Sequence, residues 1–155
     1  MPNKADVRFT GVFAALILAI FMLCQPAVSK ASEMPLGKVI IKTSSGLHEF
    51  SVERAESREH QARGLMHRRH MKTDHGMLFT WPGERNVSMW MANTILSLDM
   101  VFIKKDGKVH RVQENTVPFS QTIIEAGSLV LRVLELNAGT AAKIGLKPGD
   151  LVQLK

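Results

Sequence analysis

A group of polar and aromatic side chains near the middle of the chain has the chemistry of a binding site. Arg63 presents a planar guanidinium that can form paired hydrogen bonds with a carboxylate or a phosphate. Trp90 offers an apolar wall, and Asn93 and Thr94 follow it in a loop between two β-prone segments, where binding residues are often found. Asp99 can pair with Arg63 or accept a hydrogen bond from a ligand hydroxyl. We therefore predict a pocket here for a small polar or anionic ligand.

A purely structural role is the alternative for the same residues. Asn and Thr side chains cap turns through hydrogen bonds to the backbone. A buried pair between Arg63 and Asp99 would stabilise a loop without binding any ligand. Substitution of Asn93 or Asp99 separates the two alternatives, because a structural residue is needed for folding and a binding residue only for the ligand.

Glu135 is a further candidate because it lies within Leu129–Leu136, a segment that is apolar at nearly every position. A buried carboxyl needs a partner or has a raised pKa, so Glu135 joins the predicted ligand-binding residues. Together with Asp99 it would supply the two acids of a hydrolase that acts on cell-wall saccharide. An ion pair with Arg63 or Arg132 would explain either acid structurally. No glycine pattern of a nucleophile elbow is present, and binding is favoured over catalysis.

Methionine and histidine residues cluster in one part of the sequence, at Met66, His67, His70, Met71, His75 and Met77. His67 and His70 share one face of a helix, and thioether and imidazole ligands together suit copper. With His75 as a third ligand, the same imidazoles would suit zinc. Alternatively, Met66 and Met77 pack in the core and the histidines lie on a solvated basic face. We expect no resident cofactor.

A short basic cluster, Arg68–Lys72, overlaps this run. It could contact anionic lipid headgroups or cell-wall polymers, although such clusters are more often simply solvated. It is too short to predict a nucleic acid as partner.

The N-terminal residues have the layout of a secretory signal peptide. Lys4 and Arg8 are followed by the unbroken apolar run Val12–Cys24, and small residues follow between Ala27 and Ala31. The run is shorter than the roughly 20 residues that span a bilayer, so an uncleaved membrane anchor is the less favoured alternative. We predict a signal peptide over residues 1–31, an exported domain over residues 32–155, and a periplasmic or secreted location.

Composition agrees with one exported domain. The chain has 155 residues, a formal charge of +6 and one cysteine. Removing residues 1–31 leaves 124 residues with a charge of +4, because three of the 20 basic and one of the 14 acidic residues are removed. The only cysteine, Cys24, is removed as well, so thiol chemistry and disulfides are excluded from the mature chain.

The remaining sequence predicts about eight or nine short strands and two short helices. The predicted helices are Ser57–Arg63, capped by Ser57, and Thr140–Ile144, capped by Thr140. The predicted strands are Gly37–Lys42, Leu47–Val52, Met77–Trp81, Val87–Met91, Leu98–Lys104, Lys108–Gln113, Thr122–Glu125, Leu129–Leu136 and Leu151–Leu154. Turns are expected at Pro82-Gly83 and, within a hairpin, at Ala126-Gly127. This pattern predicts a mainly β fold, a small β-sandwich or a barrel-like domain.

Several short motifs together resemble a known prokaryotic family. They are Ala62–Arg69 (ARGLMHRR), Gly76–Phe79 (GMLF), Trp90–Thr94 (WMANT) with Leu98–Ile103 (LDMVFI), and Leu134–Thr140 (LELNAGT) with Gly145 and Gly149-Asp150. In combination they are similar to the family called domain of unknown function 192, over nearly the whole mature chain. The resemblance implies a small, mainly β domain that is often exported, and it implies no particular activity. His67 departs from the pattern, because the family usually has an aromatic residue there.

Overall fold

Seven strands of the computed structural model form one curled sheet, which confirms the mainly β class. The structure describes residues 34–155, and the predicted signal peptide lies outside them. The elements are β1 Leu36–Thr43, β2 Gly46–Ala55, α1 Arg58–Arg63, β3 His75–Met89, β4 Leu98–Ile103, β5 Val109–Gln113, β6 Ile124–Asn137, α2 Thr140–Ile144 and β7 Leu151–Leu154. The strand order is β5-β4-β6-β3-β2-β1-β7, and only the β2–β3 pair is parallel.

The two edges of the sheet, β5 and β7, meet at one end. Val109 N donates to Asp150 O at 2.8 Å, and Val152 N donates to Gly107 O at 2.9 Å. Gly107 is required at this junction, because it has a φ of 85° and a Cβ on it would lie 2.9 Å from Val152 O. The sheet is therefore a half-barrel, as the barrel-like prediction expected.

Each face of the sheet is covered by its own apolar core. Along β4 the side chains alternate, so that Met100 and Phe102 join one core and Val101 and Ile103 join the other. We call the Met100 side the outer face, because α1 and the loops after it pack there. The other side is the inner face, enclosed by the curl of the sheet. Every residue of β4 is buried for this reason.

The prediction of two separate strands at Met77–Trp81 and Val87–Met91 is wrong, because Met77–Trp81 and Val87–Met89 both belong to β3, and the strand ends before Trp90. Thr80 pairs with Arg132 and Arg85 pairs with Val130, so four residues of β3 face one residue of β6. The exposed Pro82-Gly83 pair therefore lies in a bulge, and the strand resumes against the same neighbour.

The predicted hairpin turn at Ala126-Gly127 is also a bulge. Ser88 pairs with Glu125 and Asn86 with Leu129, so the chain continues along β3 on both sides of the turn signal. Ala126 is fully buried, and Gly127 adopts a φ of 73° that favours glycine. These two bulges reduce the predicted number of strands to seven.

The two short helices lie where the sequence predicted them. Ser57 caps α1, because its hydroxyl accepts a hydrogen bond from His60 N. The prediction that Thr140 caps α2 is wrong. Gly139 occupies the cap position in a left-handed conformation, and the cap residue forms no side-chain hydrogen bond to the helix. No helix within residues 34–155 is long and apolar enough to span a membrane.

Gly76 offers a test of how closely β3 and β6 pack. A Cβ on Gly76 would lie 2.6 Å from the backbone oxygen of Glu135 and 2.9 Å from a methyl group of Leu136. We expect Gly76→Ala to lower the free energy of unfolding by about 1–3 kcal/mol in urea denaturation, because the strands must separate. Gly83→Ala is the control, because no atom lies within 4 Å of its Cβ and the expected change is below about 0.5 kcal/mol. Equal effects of the two substitutions would contradict this packing.

Candidate functional site

A cavity of about 250 Å³ lies on the outer face of the sheet, between α1, β3, β6 and the loop that follows β3. It is lined by Gln61, Ala62, Arg63, Gly64, Leu65, Met66, Phe79, Trp81, Ser88, Met89, Trp90, Thr94 and Glu135. Four of the predicted ligand-binding residues are therefore together here: Arg63, Trp90, Thr94 and Glu135. Asn93 and Asp99 do not line it.

Glu135 is the buried carboxyl of this cavity. The residue is 4% exposed, and its neighbours across the sheet are Met77 on β3 and Met100 on β4, both fully buried. Its carboxyl forms no hydrogen bond or ion pair within residues 34–155, and its oxygens face the cavity and are not sealed in the core. Burial raises the pKa of Glu135 to about 8. Glu135 is therefore mostly a neutral carboxylic acid at neutral pH.

The other polar lining residues differ in exposure. Arg63 ends α1, is exposed, and has no ion pair within residues 34–155. Trp90 is 47% exposed, whereas Thr94 is 6% exposed and its hydroxyl donates to Ala92 O at 3.3 Å. The exposed Arg63 and Trp90 form the rim, and the buried Thr94 and Glu135 lie deeper.

The walls of the cavity are mainly apolar. The rings of Phe79 and Trp81 on β3 stack with centroids 6.3 Å apart. Leu65, Met66 and Met89 complete this wall. Apolar walls with few polar groups are the usual composition of a small-molecule site.

Gln61 holds α1 against the sheet. Its side-chain nitrogen donates to Thr80 O at 2.8 Å and to Ala55 O at 3.3 Å. Gly64 ends the helix with a φ of 48° and lies so close to Phe79 that a Cβ would be 3.3 Å from its ring. The helix end, and Arg63 with it, is thus fixed beside the aromatic wall.

Asn93 positions a neighbouring loop. It has a left-handed φ of 57°, and its backbone oxygen accepts a hydrogen bond from His67 N at 2.9 Å. Its side-chain nitrogen lies 3.9 Å from the sulfur of Met66, which lines the cavity. Its side chain is exposed and supports the cavity from outside.

Asp99 is fully buried and connects three segments. One carboxyl oxygen accepts from Asn115 N at 2.9 Å and the other from Ala141 N at 2.8 Å. Asp99 therefore supplies the cap that α2 lacks and fixes the loop after β5. It forms no ion pair with Arg63, and both of its carboxyl oxygens accept hydrogen bonds from the backbone.

The two acids of the hydrolase hypothesis lie on opposite faces of the sheet. In the β4–β6 register, Met100 stands opposite Glu135 and Asp99 opposite Leu136, and successive side chains alternate between faces. They do not share a cleft. Arg132 also faces away from Glu135, and burial, with a smaller contribution from Arg54, lowers its pKa.

The methionine and histidine run is divided between the core and the surface. No group of three or more His, Cys, Asp or Glu side chains within residues 34–155 could hold a metal ion. Met71 and Met77 are buried in the outer core, while His67 and His70 are exposed. His75 Nδ1 lies 2.8 Å from Asp74, and this contact lowers the pKa of the Asp74 carboxyl.

The basic cluster is partly used within the fold. Arg68 forms a two-fold hydrogen-bonded pair with Glu53 on β2, which raises the pKa of Arg68. Arg69, His70 and Lys72 are exposed, so three side chains remain for contact with an anionic surface.

Several lining residues were not predicted as site residues, among them Gln61, Phe79, Trp81, Ser88 and Met89. In the sequence these residues look like ordinary residues of a helix surface or of the buried face of a strand. The β3 bulge, which directs Trp81 and Met89 to the same cavity, is signalled only by Pro82-Gly83.

The fold and the cavity define a class: small half-barrel domains with a loop-covered cavity on the outer face of the sheet. The chain belongs to the family DUF192 (Uncharacterized ACR), whose model matches residues 39–154. It is similar to a solved structure of a candidate transcription regulator from Sinorhizobium meliloti 1021, with 44% identity, a TM-score of 0.77, and coverage of 79% of this chain and 96% of that one.

A second similar structure is a protein of unknown function from Novosphingobium aromaticivorans DSM 12444. It shares 37% identity with a TM-score of 0.77, and the match covers 84% of this chain and 94% of that one. No curated protein matches the chain significantly. The comparisons therefore establish the family and the fold.

Asp99→Ala tests the structural role of Asp99. We expect a loss of about 3 kcal/mol in the free energy of unfolding, because the backbone N–H groups of Asn115 and Ala141 both lose their acceptor. Urea denaturation measures this loss, and Glu114→Ala, an exposed acid in the adjacent loop, is the control. A variant as stable as the wild type would show that the two hydrogen bonds are dispensable.

Glu135 should make the stability of the protein depend on pH. In the unfolded chain the carboxyl has its ordinary pKa of 4.5, and in the folded chain about 8. Between these pH values the folded state keeps a proton that the unfolded state has lost. The contribution of Glu135 to the free energy of unfolding therefore falls as the pH rises from 4.5 to 8. We expect Glu135→Gln, which stays neutral, to match the wild type near pH 4 and to be more stable at pH 8, by on the order of 4 kcal/mol.

The measurement is urea denaturation of both proteins at several pH values between 4 and 9. Taking the difference between them removes the contribution of every other titrating group. A difference that stays constant across this range would contradict a neutral, buried Glu135.

Proposed function

We propose that this protein is an exported domain that binds a small polar or anionic ligand in the cavity bounded by Arg63, Trp90, Thr94 and Glu135. The family and its solved relatives leave the ligand open. The proposal is supported by the cavity on the outer face and by the signal-peptide layout of residues 1–31.

The carboxyl of Glu135 is the observation on which the proposal rests. Burial of a polar group without a hydrogen-bond partner costs stability, so such groups are rare at purely structural positions. Glu135 has no partner in the described chain, and it borders a cavity instead of solid core. A leucine here would extend the apolar face between Met77 and Met100. The acid therefore lowers the stability of the fold, and a role in ligand binding would explain its presence.

The size of the cavity limits the ligand. Its volume of about 250 Å³ lies just below the range of about 300–1,000 Å³ that is common for drug-sized ligands. A compact molecule with one polar end fits both this volume and the division of the lining into apolar walls and a few polar groups.

Ligand binding can be tested by NMR on the ¹⁵N-labelled protein. Titration with a library of small fragments should shift the amide signals of residues that line the cavity, among them Leu65, Met66 and Trp90. Glu135→Leu should remove or strongly weaken these shifts while the protein stays folded, because it deletes the polar end of the site. Glu114→Gln, in an exposed loop, is the matched control and should bind like the wild type.

Shifts confined to other regions would contradict the proposal. Shifts that persist unchanged in Glu135→Leu would contradict the role of the acid in binding.

A further inference from the structure

The charged groups around the cavity indicate which chemical class of ligand it takes. Among the residues that line it, Arg63 and Glu135 are the only ones that titrate. Arg63 is exposed and positive at all ordinary pH values, and no acid within residues 34–155 neutralises it. The neutral form of the Glu135 carboxyl gives the cavity a net positive charge.

Groups on the surrounding elements leave this balance unchanged. The neighbours of Glu135 on β3 and β4, Met77 and Met100, are uncharged. On β6, Arg132 points to the inner face. On α1, His60 is buried, already has an interaction partner, and does not line the cavity.

The polar groups of the site can act as hydrogen-bond donors. The guanidinium of Arg63 has five N–H donors and no acceptor, and a protonated Glu135 donates through its O–H. Thr94 adds a hydroxyl, which now donates to Ala92 O at 3.3 Å, a long distance for such a bond. Gln61 and Ser88 are the other polar lining residues, and the remaining walls are apolar. Donors beside apolar walls match an oxyanion attached to an apolar body.

We propose that the ligand is a small organic monoanion, a carboxylate on an apolar or aromatic body, whose oxygens accept hydrogen bonds from Glu135 and from Arg63. The body would pack against Phe79, Trp81 and Trp90. This inference rests on the proposed ligand-binding function and names the ligand class.

An organic cation is the opposing possibility, because aromatic rings and a carboxylate can together bind amines. It would require Glu135 to ionise among Met77 and Met100, and it would have to pass Arg63 at the rim. Both requirements disfavour a cation at neutral pH.

Three probes with the same apolar body separate these classes: 3-phenylpropionate, 3-phenylpropionamide and 3-phenylpropylamine. Their affinities are measured by NMR titration at pH 6.5 and pH 9. We expect the carboxylate to bind more tightly than the amide and the amine at pH 6.5. Its affinity should fall about tenfold by pH 9, because ionised Glu135 repels it.

Glu135→Gln is the decisive variant, because the amide side chain keeps a donor but cannot ionise. It should bind the carboxylate at pH 6.5 within about threefold of the wild type and lose less than twofold in affinity by pH 9. Arg63→Gln should weaken the carboxylate about tenfold and leave the amide probe unchanged, because a hydrogen bond to a charged group is lost. Arg69→Gln, at an exposed arginine outside the lining, is the control.

The outcomes distinguish this inference from the function on which it rests. Tightest binding of the amine, or loss of carboxylate binding in Glu135→Gln, would overturn the ligand class while the cavity still binds a ligand. If none of the three probes shifts the signals of the cavity residues while other fragments of the library do, the ligand class fails and the proposed function stands; if no fragment shifts them, both fail.

Discussion

The register between β4 and β6 determines on which face of the sheet each of the two buried acids lies. It places Met100 opposite Glu135 and Asp99 opposite Leu136, so the two acids face opposite cores. A shift by one residue would exchange the two faces and bury each acid in the wrong surroundings. On the inner face, Asp99 accepts hydrogen bonds from the backbone N–H groups of Asn115 and Ala141. On the outer face, Glu135 borders the cavity. Each acid is therefore tolerable only where this register places it.

The outer cavity depends on contacts made between irregular segments. The backbone of Asn93 holds the loop at His67, Met91 N donates to Ser120 O, and Phe119 N donates to Thr94 O. His67, Asn93 and Phe119 all have positive φ without being glycine. These loops with unusual backbone conformations thus lie beside the cavity, while the acid lies on a strand of the sheet. This division is common in binding sites, where loops adapt and the scaffold stays fixed.

Much of the fold was predictable because strand periodicity and turn residues are local signals. The strands β4, β5 and β7 and both helices were predicted close to their observed bounds. The bulges in β3 and β6 were mistaken for turns, because Pro82-Gly83 and Ala126-Gly127 look alike in either role. The site was predicted in part: Glu135 stood out as an acid in an apolar segment. The pairing of Asp99 depended on which face it occupies, which only the register reveals.

The closure of the half-barrel has a consequence for how the chain is made. β7 pairs with β1, Ile41 opposite Val152, and also joins β5 through Gly107 and Asp150. The β1–β7 pairs link residues that are separated by most of the described chain, so they form late and slowly compared with local hairpins. During synthesis β1 leaves the ribosome long before β7 exists, and the nascent domain stays open along that edge. Its folding is therefore completed only after translation has passed β7.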